Sequence, residues 1–170
     1  MLKLCLIGKN IKNSRSPELY KTFAKKDGVD LSYELRDLDR EDLSAFVEEV
    51  RSGKFTGFNV TAPYKNEIIK YLDHISDDAK AVAAVNTVYN KDGVLYGYNT
   101  DIYGAHRSIN PILKEGSILI LGRGGAARAV IRAFKEKDLT VYARDFDNDD
   151  LLKIKADLKF IDNLQGQNFV

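Results

Sequence analysis

The sequence predicts an α/β protein in which an N-terminal unit is followed by a second, incomplete unit, and three observations support this prediction. Short apolar segments alternate along the chain with segments whose apolar residues recur at helical spacing. Ser117–Leu121 is a continuous apolar run, as expected of a parallel strand that is covered on both faces. A glycine-rich turn follows this run, and the 170 residues suffice for one domain and part of another.

The composition is that of an ordinary globular protein, and it argues against several classes of partner. Hydrophobic residues make up 44% of the chain, charged residues make up 30%, and the formal net charge is +1. This balance creates no broad basic field, so we expect neither a nucleic acid nor a membrane surface as partner. No apolar run approaches the roughly 20 residues that cross a bilayer, and Leu4–Ile7 is too short for a signal-peptide core.

The cysteine and histidine content argues against disulfides and metal sites. Cys5 is the one cysteine of the sequence, so no intrachain disulfide can form. The chain contains two histidines, which together with one cysteine make a poor ligand set for a metal cluster. Cys5 lies in an apolar segment and is expected to be a small core residue. We therefore expect no metal and a reducing, cytoplasmic location.

The first unit is predicted to begin with a strand over Leu2–Ile7, which Gly8 ends. A helix is then predicted from Ser16 to about Lys26. Serine is a favoured N-cap residue, and the proline at position 17 is tolerated in the first turn because its missing N–H would have no intrahelical partner. We therefore expect Ser16 to occupy the N-cap of this helix.

Further along, alternation predicts a strand over Leu31–Leu35, and a helical period predicts a helix over Asp39–Val50. Asp92-Gly93 predicts a hairpin turn between strands at 85–89 and 94–98. The remaining elements predicted before the second unit are a strand at 54–58 and helices at 63–72, 77–84 and 102–108.

The second unit is predicted to alternate strands and helices after its glycine-rich turn. The predicted elements are a strand at 117–121, a helix to about residue 137, a strand at 139–142, a helix at 149–156 and a strand at 158–161. A doubly wound nucleotide domain has two βαβαβ halves, and this chain supplies roughly one of them. We therefore expect either a fragment of a longer protein or a reduced variant.

The stretch Gly57–Lys65 carries the first candidate site. Its apolar beginning reads as a strand, and Pro63 is predicted to open the following helix. Asn59, Thr61 and Lys65 then lie at or just beyond the carboxyl end of a strand, where open α/β sheets bind ligands. An amide, a hydroxyl and an ammonium suit a small, hydroxyl-rich anion. The alternative interpretation is a capped strand end with a solvent-exposed lysine.

The second candidate site is the glycine-rich turn after Leu121. Gly122, Gly124, Gly125 and Ala126 stand between a predicted strand and a predicted helix, which is the context of a dinucleotide phosphate loop. The glycines permit close backbone approach, and the helix offers free N–H groups and the positive end of its dipole. The alternative interpretation is a sharp strand-to-helix turn that binds no ligand.

The end of the following strand bears on which dinucleotide would bind. Arg144 favours a 2′-phosphate and therefore NADP, whereas the neighbouring Asp145 favours the free 2′-hydroxyl of NAD. Arg123 adds positive charge to the glycine-rich turn. We therefore favour NADP and keep NAD as the alternative. If no nucleotide binds, Arg144 is an ordinary solvated charge at the end of the strand.

Five motifs, taken together and in this order, resemble the shikimate dehydrogenase family. They are Asn13–Pro17, Gly57–Lys65, Ala84–Thr87, Gly97–Asp101 and Leu121–Ala127. The chain resembles the family's N-terminal substrate domain plus the first part of its NADP-binding domain. The resemblance implies an α/β substrate domain over residues 1–103 and an incomplete Rossmann-like dinucleotide-binding domain over residues 104–170.

The resemblance implies an oxidoreductase of the shikimate pathway, which leads to chorismate and the aromatic amino acids. The implied reaction is the reversible NADPH-dependent reduction of 3-dehydroshikimate to shikimate, by a monomer or homodimer in the cytoplasm. Two alternatives stay open at this point. One is a quinate/shikimate dehydrogenase that uses NAD, and the other is a truncated, non-catalytic module that binds shikimate.

The resemblance also implies roles for individual residues. Ser14 and Ser16 correspond to the serine pair that holds the substrate carboxylate, and Lys65 and Asp101 correspond to the catalytic pair. The positions implied to contact ring hydroxyls are Asn59, Thr61, Asn86 and Asp101. The positions implied to bind the cofactor are Gly122, Arg123, Gly124, Gly125, Ala126 and Arg144. As an amide, Asn86 is able both to donate to and to accept from vicinal hydroxyls.

The chain departs from the family pattern in three places, one of which is Arg123, where the family has a small residue. Ala143-Arg144-Asp145 stands where the family has Asn-Arg-Thr or a similar triplet, which removes a hydroxyl and adds a negative charge. The family's later part, which completes the nicotinamide pocket, has no counterpart here. We therefore expect weak cofactor binding and slow turnover from this chain by itself.

Overall fold

The structure, a computed structural model, describes residues 1–113, 117–122 and 124–142. The chain divides into two compact units, with the division between Thr100 and Asp101. The domain boundary after residue 103 stays a prediction. Both units combine strands and helices, which confirms the predicted α/β class.

The first unit is built on a six-stranded mixed sheet. Its strands are β1 Leu2–Gly8, β2 Leu31–Asp37, β3 Gly57–Val60, β4 His74–Ile75, β5 Thr87–Lys91 and β6 Val94–Tyr98. Its α-helices are α1 Ser16–Asp27, α2 Leu43–Arg51 and α3 Asp77–Ala81, and 3-10 helices span Arg40–Asp42 and Glu67–Tyr71. The two-residue strand β4 was not predicted from the sequence.

The strand order β2-β1-β3-β5-β6-β4 places the candidate site in the middle of the sheet. β1 is parallel to both β2 and β3, β5 is antiparallel to β3 and β6, and β4 is parallel to β6. The register pairs Asn59 with Leu6 on one side and with Thr87 on the other. Because side chains alternate between faces, Asn59 and Thr87 project from the same face of the sheet.

The main core lies on the opposite face of this sheet, under α2. The apolar residues of α2 recur at helical spacing, and Leu43, Phe46, Val47 and Val50 are all buried. The Phe46 ring meets Phe58 of β3 edge to face, with ring centroids 5.1 Å apart. On the other face, Tyr20 of α1 stacks on Tyr33 of β2 at 4.4 Å. α1 therefore covers the β1–β2 side of the face that carries Asn59.

The predicted helix that begins at Pro63 is wrong. Residues 61–66 form a turn that includes a cis Ala62–Pro63 peptide bond, and a 3-10 helix follows over Glu67–Tyr71. The carbonyls of Ala62 and Lys65 accept hydrogen bonds from Lys9 and Val85 at 3.1 and 2.7 Å. Since these partners come from distant segments, tertiary contacts help to hold the turn, alongside the local bond from the Tyr64 N–H to the Thr61 carbonyl at 3.0 Å.

The predicted N-cap at Ser16 is also wrong, since helix α1 begins at Ser16 with Arg15 in the cap position. The hydroxyl of Ser14 accepts the N–H of Ser16 at 3.3 Å and so takes over part of that role. The strand predicted over 54–58 instead spans Gly57–Val60, because the Phe55 carbonyl accepts the side-chain amide of Asn90 at 3.1 Å.

The second unit contains α4 Asp101–Ile109, a 3-10 helix Asn110–Ile112, β7 Ile118–Leu121, α5 Gly125–Ala133 and β8 Leu139–Tyr142. β7 and β8 are parallel neighbours, with Ile118 opposite Leu139. Ile120, Ile131 and Phe134 belong to a separate buried cluster. The glycine-rich turn therefore connects a parallel strand to a helix, as predicted. The elements predicted at 149–156 and 158–161 lie outside the described residues.

Candidate functional site

The turn after β3 presents Thr61 and Lys65. The Thr61 N–H donates to the Ile7 carbonyl at 2.9 Å, which ties the turn to the end of β1. A Cβ at Gly8 would lie 2.5 Å from Cγ2 of Thr61 and 2.7 Å from Cγ2 of Ile11. Any larger residue at position 8 would therefore displace Thr61, so the glycine that ends β1 sets the position of this side chain.

Ser14 and Ser16 form a contiguous pair of hydroxyls at the start of α1. The Ser14 hydroxyl donates to Oγ of Ser16 at 3.1 Å, and both residues are partly buried. Both hydroxyls are neutral groups that can donate to an anion without bringing a charge of their own. The two hydroxyls therefore lie side by side, and their role in holding a carboxylate stays a prediction.

Tyr33 connects the serine pair to Asn59. The Tyr33 hydroxyl donates to Oδ1 of Asn59 at 2.9 Å. Burial raises the pKa of Tyr33, while a hydrogen bond with the Ser16 side chain acts in the opposite direction. A phenol is protonated at neutral pH even without this shift, so Tyr33 is a donor to Asn59. Asn59 therefore has its amide oxygen fixed toward Tyr33 and its Nδ2 directed elsewhere.

Nδ2 of Asn59 points toward β5. It lies 3.3 Å from Oγ1 of Thr87 and 3.4 Å from the carbonyl of Asn86. The Thr87 hydroxyl in turn donates to Oδ1 of Asn86 at 3.0 Å. A hydrogen-bonded series therefore joins Ser14, Ser16 and Tyr33 to the two asparagines; we call these residues, with Thr87 and Thr100, the polar network.

Asn86 is buried, and its amide orientation is fixed by the backbone. Its Oδ1 accepts the Thr100 N–H at 2.9 Å, and its Nδ2 lies 3.1 Å from the Thr100 hydroxyl. Because Oδ1 also accepts from Thr87, the oxygen is already committed within the protein. Both ends of the Asn86 amide therefore have partners within the first unit, and its role toward a ligand stays a prediction.

Lys65 and Asp101 are each connected to the network through the backbone. The Lys65 carbonyl accepts the Val85 N–H at 2.7 Å, and Val85 directly precedes Asn86. Asp101 directly follows Thr100 and is the first residue of α4. A carboxylate in the first turn of a helix is favoured by the helix dipole. Both side chains are partly buried.

Three members of the polar network were missed by the sequence analysis: Tyr33, Thr87 and Thr100. The two threonines lie inside motifs that were already singled out, so adjacency to Asn86 and Asp101 was an available signal. Tyr33 gave no comparable signal, because its partner Asn59 is 26 residues away and meets it only through the strand order.

The glycine-rich turn of the second unit joins β7 to α5, and Gly122 and Gly124 of this turn lie in the described residues. Gly122 has φ 108°, a conformation that L side chains rarely adopt. Gly124 is the N-cap of α5 and makes no side-chain cap, so the first N–H groups of that helix lack a side-chain partner from the cap. A Cβ at Gly122 or Gly124 would meet no heavy atom of the described residues within 4 Å. Arg123 and Arg144 lie outside the described residues.

Two classes of site are not found in the part of the chain that the structure describes. No group of three or more histidine, cysteine, aspartate or glutamate side chains is arranged to hold a metal ion there. None of the described helices has both the length and the apolar character needed to span a membrane.

Comparison with known proteins identifies relatives for both units. Residues 6–88 match the model of the shikimate dehydrogenase substrate binding domain. The chain is 42% identical over 129 residues to the NADP(+) shikimate dehydrogenase of Clostridium beijerinckii, covering 74% of this chain and 48% of the relative. It is 35% identical over 170 residues to that of Clostridium botulinum (strain Hall), covering 96% of this chain and 65% of the relative.

Solved structures agree with these sequence matches. Shikimate 5-dehydrogenase from Thermus thermophilus, in complex with NADP(H) and shikimate, is 35% identical with a TM-score of 0.80. The match covers 85% of this chain and 57% of that one. The chain therefore spans about half to two thirds of the length of the relatives that it matches.

Proposed function

The chain belongs to the shikimate dehydrogenase family, and we propose that it supplies the substrate-binding and first nucleotide-binding parts of an enzyme that reversibly reduces 3-dehydroshikimate to shikimate with NADPH. The polar network is the observation that supports this proposal best. It places neutral donors in series across the middle of the sheet, which suits one carboxylate and several hydroxyls on a small ring.

The serine pair is proposed to bind the substrate carboxylate. In the structure the Ser14 hydroxyl donates to Ser16, so its proton is already oriented within the pair. A bound carboxylate can accept both hydroxyl protons in place of the bond between the serines, and hydrogen bonds to a charged acceptor are stronger than neutral ones. This exchange favours an acid over its uncharged amide or ester.

Asn59, Thr61 and Asn86 are proposed to contact the ring hydroxyls. Asn86 is proposed to exchange a hydrogen bond within the network for one to a ligand hydroxyl, since its Oδ1 accepts from the Thr87 hydroxyl at 3.0 Å and its Nδ2 lies 3.1 Å from the Thr100 hydroxyl. The N–H contacts of Asn59 are long, at 3.3 and 3.4 Å, so they can turn to a ligand oxygen at small cost. A site that pairs with hydroxyls in this way rejects rings that lack them, because its polar groups would be left unpaired.

Lys65 and Asp101 are proposed as the catalytic pair. Reduction of the ketone brings negative charge onto its oxygen, and the Lys65 ammonium stabilises that charge and holds a proton for it. Asp101 is proposed to orient the ammonium.

NADPH supplies the hydride for this reaction. Gly122, Gly124, Gly125 and Ala126 are proposed to bind its pyrophosphate through backbone N–H groups at the start of α5. The open space beside Gly122 and Gly124 fits this role. Arg123 and Arg144 are proposed to contribute positive charge, with Arg144 at the 2′-phosphate. We also propose a cytoplasmic location, since the one cysteine of the sequence can form no intrachain disulfide.

Two measurements on the chain test this proposal. Titration calorimetry with shikimate is expected to show saturable binding that weakens in Ser14→Ala and Ser16→Ala. Nicotinamide absorbance is expected to rise faster with shikimate and NADP than with quinate or with NAD. Absence of shikimate binding would contradict the proposal, and preference for quinate and NAD would support the rival dehydrogenase. A non-catalytic binding module would be supported if shikimate bound without turnover both in this chain and in a chain extended to the length of the relatives.

A further inference from the structure

A cavity of about 730 Å³ opens beside the turn that carries Thr61 and Lys65, but neither of those residues lines it. The lining residues are Arg40, Pro63, Asn66, Glu67, Ile69, Lys70, Ile75, Lys80 and Ala83. All of them belong to the first unit. The volume lies in the range typical of small-molecule sites, which is roughly 300–1,000 Å³.

The cavity combines an apolar floor with a basic rim. Ile69, Ile75 and Ala83 are partly buried, and they present apolar surface. Lys70 and Lys80 have side chains that are 59% and 62% exposed, so their ammonium groups reach the solvent at the rim. This arrangement suits a ligand with an apolar ring and an anionic group at one end.

Glu67, the acidic residue in the cavity wall, does not cancel the preference for an anionic ligand. Glu67 is held by Arg40 at 3.0 Å and by Lys70 at 3.4 Å, with its side chain only 18% exposed. Lys80 pairs with Asp77 at 3.7 Å, but the Asp77 side chain is 99% exposed, so solvent screens that pair. Arg40, Lys70 and Lys80 therefore outweigh the one lining carboxylate.

The floor discriminates against hydroxyl-rich rings. A polyol placed against Ile69 and Ile75 would lose water from its hydroxyl groups without gaining hydrogen bonds. The amide of Asn66 is already engaged, since its Nδ2 donates to the Ala83 carbonyl at 2.9 Å. An unsubstituted aromatic ring carries no such cost and gains the burial of its faces.

We propose that this cavity is a second ligand site, which binds a small aromatic carboxylate and changes the affinity of the neighbouring site for shikimate. The coupling has a direct path, because Pro63 and Asn66 line the cavity and belong to the same turn as Thr61 and Lys65. The effect on shikimate affinity rests on the proposed function, whereas binding of the aromatic carboxylate to the cavity does not. By linkage, each ligand must change the affinity of the other by the same factor.

The first test uses 2-naphthoate as the probe and ligand-observed NMR as the measurement, with no shikimate or nucleotide present. Wild-type protein is expected to bind it saturably, and neutral 2-naphthamide is expected to bind several-fold more weakly. Lys70→Glu and Lys80→Glu are each expected to raise the dissociation constant about 5-fold, since they reverse a charge at the rim. Lys91→Glu, at an exposed position of β5 outside the cavity, is the matched control and should leave binding unchanged.

Binding that is absent, equally strong for the amide, or weakened as much by Lys91→Glu would overturn the site. All three substitutions lie on exposed side chains, and unchanged thermal unfolding would show that the fold is retained.

The second test repeats the titration at saturating shikimate. Simultaneous binding with a reciprocal shift in both dissociation constants supports the coupling, whereas mutual exclusion that survives Lys70→Glu would place naphthoate in the shikimate site and overturn the proposal.

Discussion

The polar network and the glycine-rich turn achieve recognition by opposite means. In the network, side chains from β2, β3, β5 and the segment before α1 hold one another in fixed orientations. In the turn, Gly122 and Gly124 present backbone with no side chain, and the space beside them is open. The polar network should select its ligand closely, because each of its side-chain donors and acceptors has a fixed orientation. The glycine-rich turn should select less closely, because it offers backbone groups alone.

This difference predicts how each region responds to substitution. Removal of one side chain from the network leaves a buried partner without its hydrogen bond, which costs about 1–3 kcal/mol. Addition of a side chain to the turn costs nothing in packing but strains the backbone at Gly122. Stability and substrate affinity should therefore change together in the network, whereas nucleotide affinity should change by itself in the turn.

The largest expected effect is that of Lys65→Ala on turnover. Loss of a positioned proton donor typically lowers the rate by about 10²–10⁴-fold, while the network still holds the substrate. Steady-state kinetics of the full-length enzyme and calorimetry with shikimate measure the two effects separately. Lys91→Ala, an exposed lysine on β5, is the control. Wild-type turnover in Lys65→Ala would remove this residue from the chemistry.

The next largest effect is expected at Asn86, where substitution should change both the unfolding free energy and shikimate binding. Asn86→Ala leaves the Thr100 N–H and the Thr87 hydroxyl without their acceptor, so we expect a loss of about 1–3 kcal/mol in unfolding free energy together with weaker shikimate binding. Asn86→Asp keeps an acceptor for Thr100 but removes the Nδ2 donor. It also removes the bond from Nδ2 to the Thr100 hydroxyl and places a carboxylate at a buried position, so we expect both stability and shikimate affinity to fall. Urea denaturation and calorimetry measure the two quantities.

Asn90 supplies a matched control for that comparison. It is also a buried asparagine and lies on β5, the strand that Asn86 precedes, but its amide bonds the Val50 and Phe55 carbonyls and the Gly93 N–H. Asn90→Ala should therefore lower stability by a similar amount and leave shikimate affinity unchanged in the folded protein. Equal loss of affinity in both alanine variants would show that the Asn86 effect is a general consequence of destabilisation.

In the turn, Gly122→Ala is expected to weaken NADP binding by about 10-fold, because a residue with a Cβ pays about 1–2 kcal/mol at φ 108°. Shikimate affinity should be unaffected. Gly104→Ala, within α4, is the control, since added Cβ meets nothing there and alanine favours a helix. Fluorescence titration with NADPH measures the change, and equal affinities in wild type and Gly122→Ala would argue against a phosphate loop here.

The same contrast explains how much could be predicted from the sequence. The glycine-rich turn was predicted with its strand and helix because adjacent residues determine a strand–turn–helix unit. The helix at Pro63 was mispredicted because local rules for proline take no account of Lys9 and Val85, which bind the carbonyls of the turn. Tyr33 was missed for the same reason, since only the strand order brings it to Asn59.

The smallest expected effect is that of Tyr33→Phe, and it tests whether the network positions its members or merely fills space. Phenylalanine preserves the stacking on Tyr20 but removes the hydroxyl that fixes Oδ1 of Asn59. One neutral hydrogen bond contributes about 0.5–1.5 kcal/mol, so shikimate affinity should fall about 3- to 10-fold. A purely structural role would lower stability and spare the affinity of the folded protein. Calorimetry beside urea denaturation distinguishes the two, because only a positioning role links the Tyr33 hydroxyl to ligand binding through Asn59.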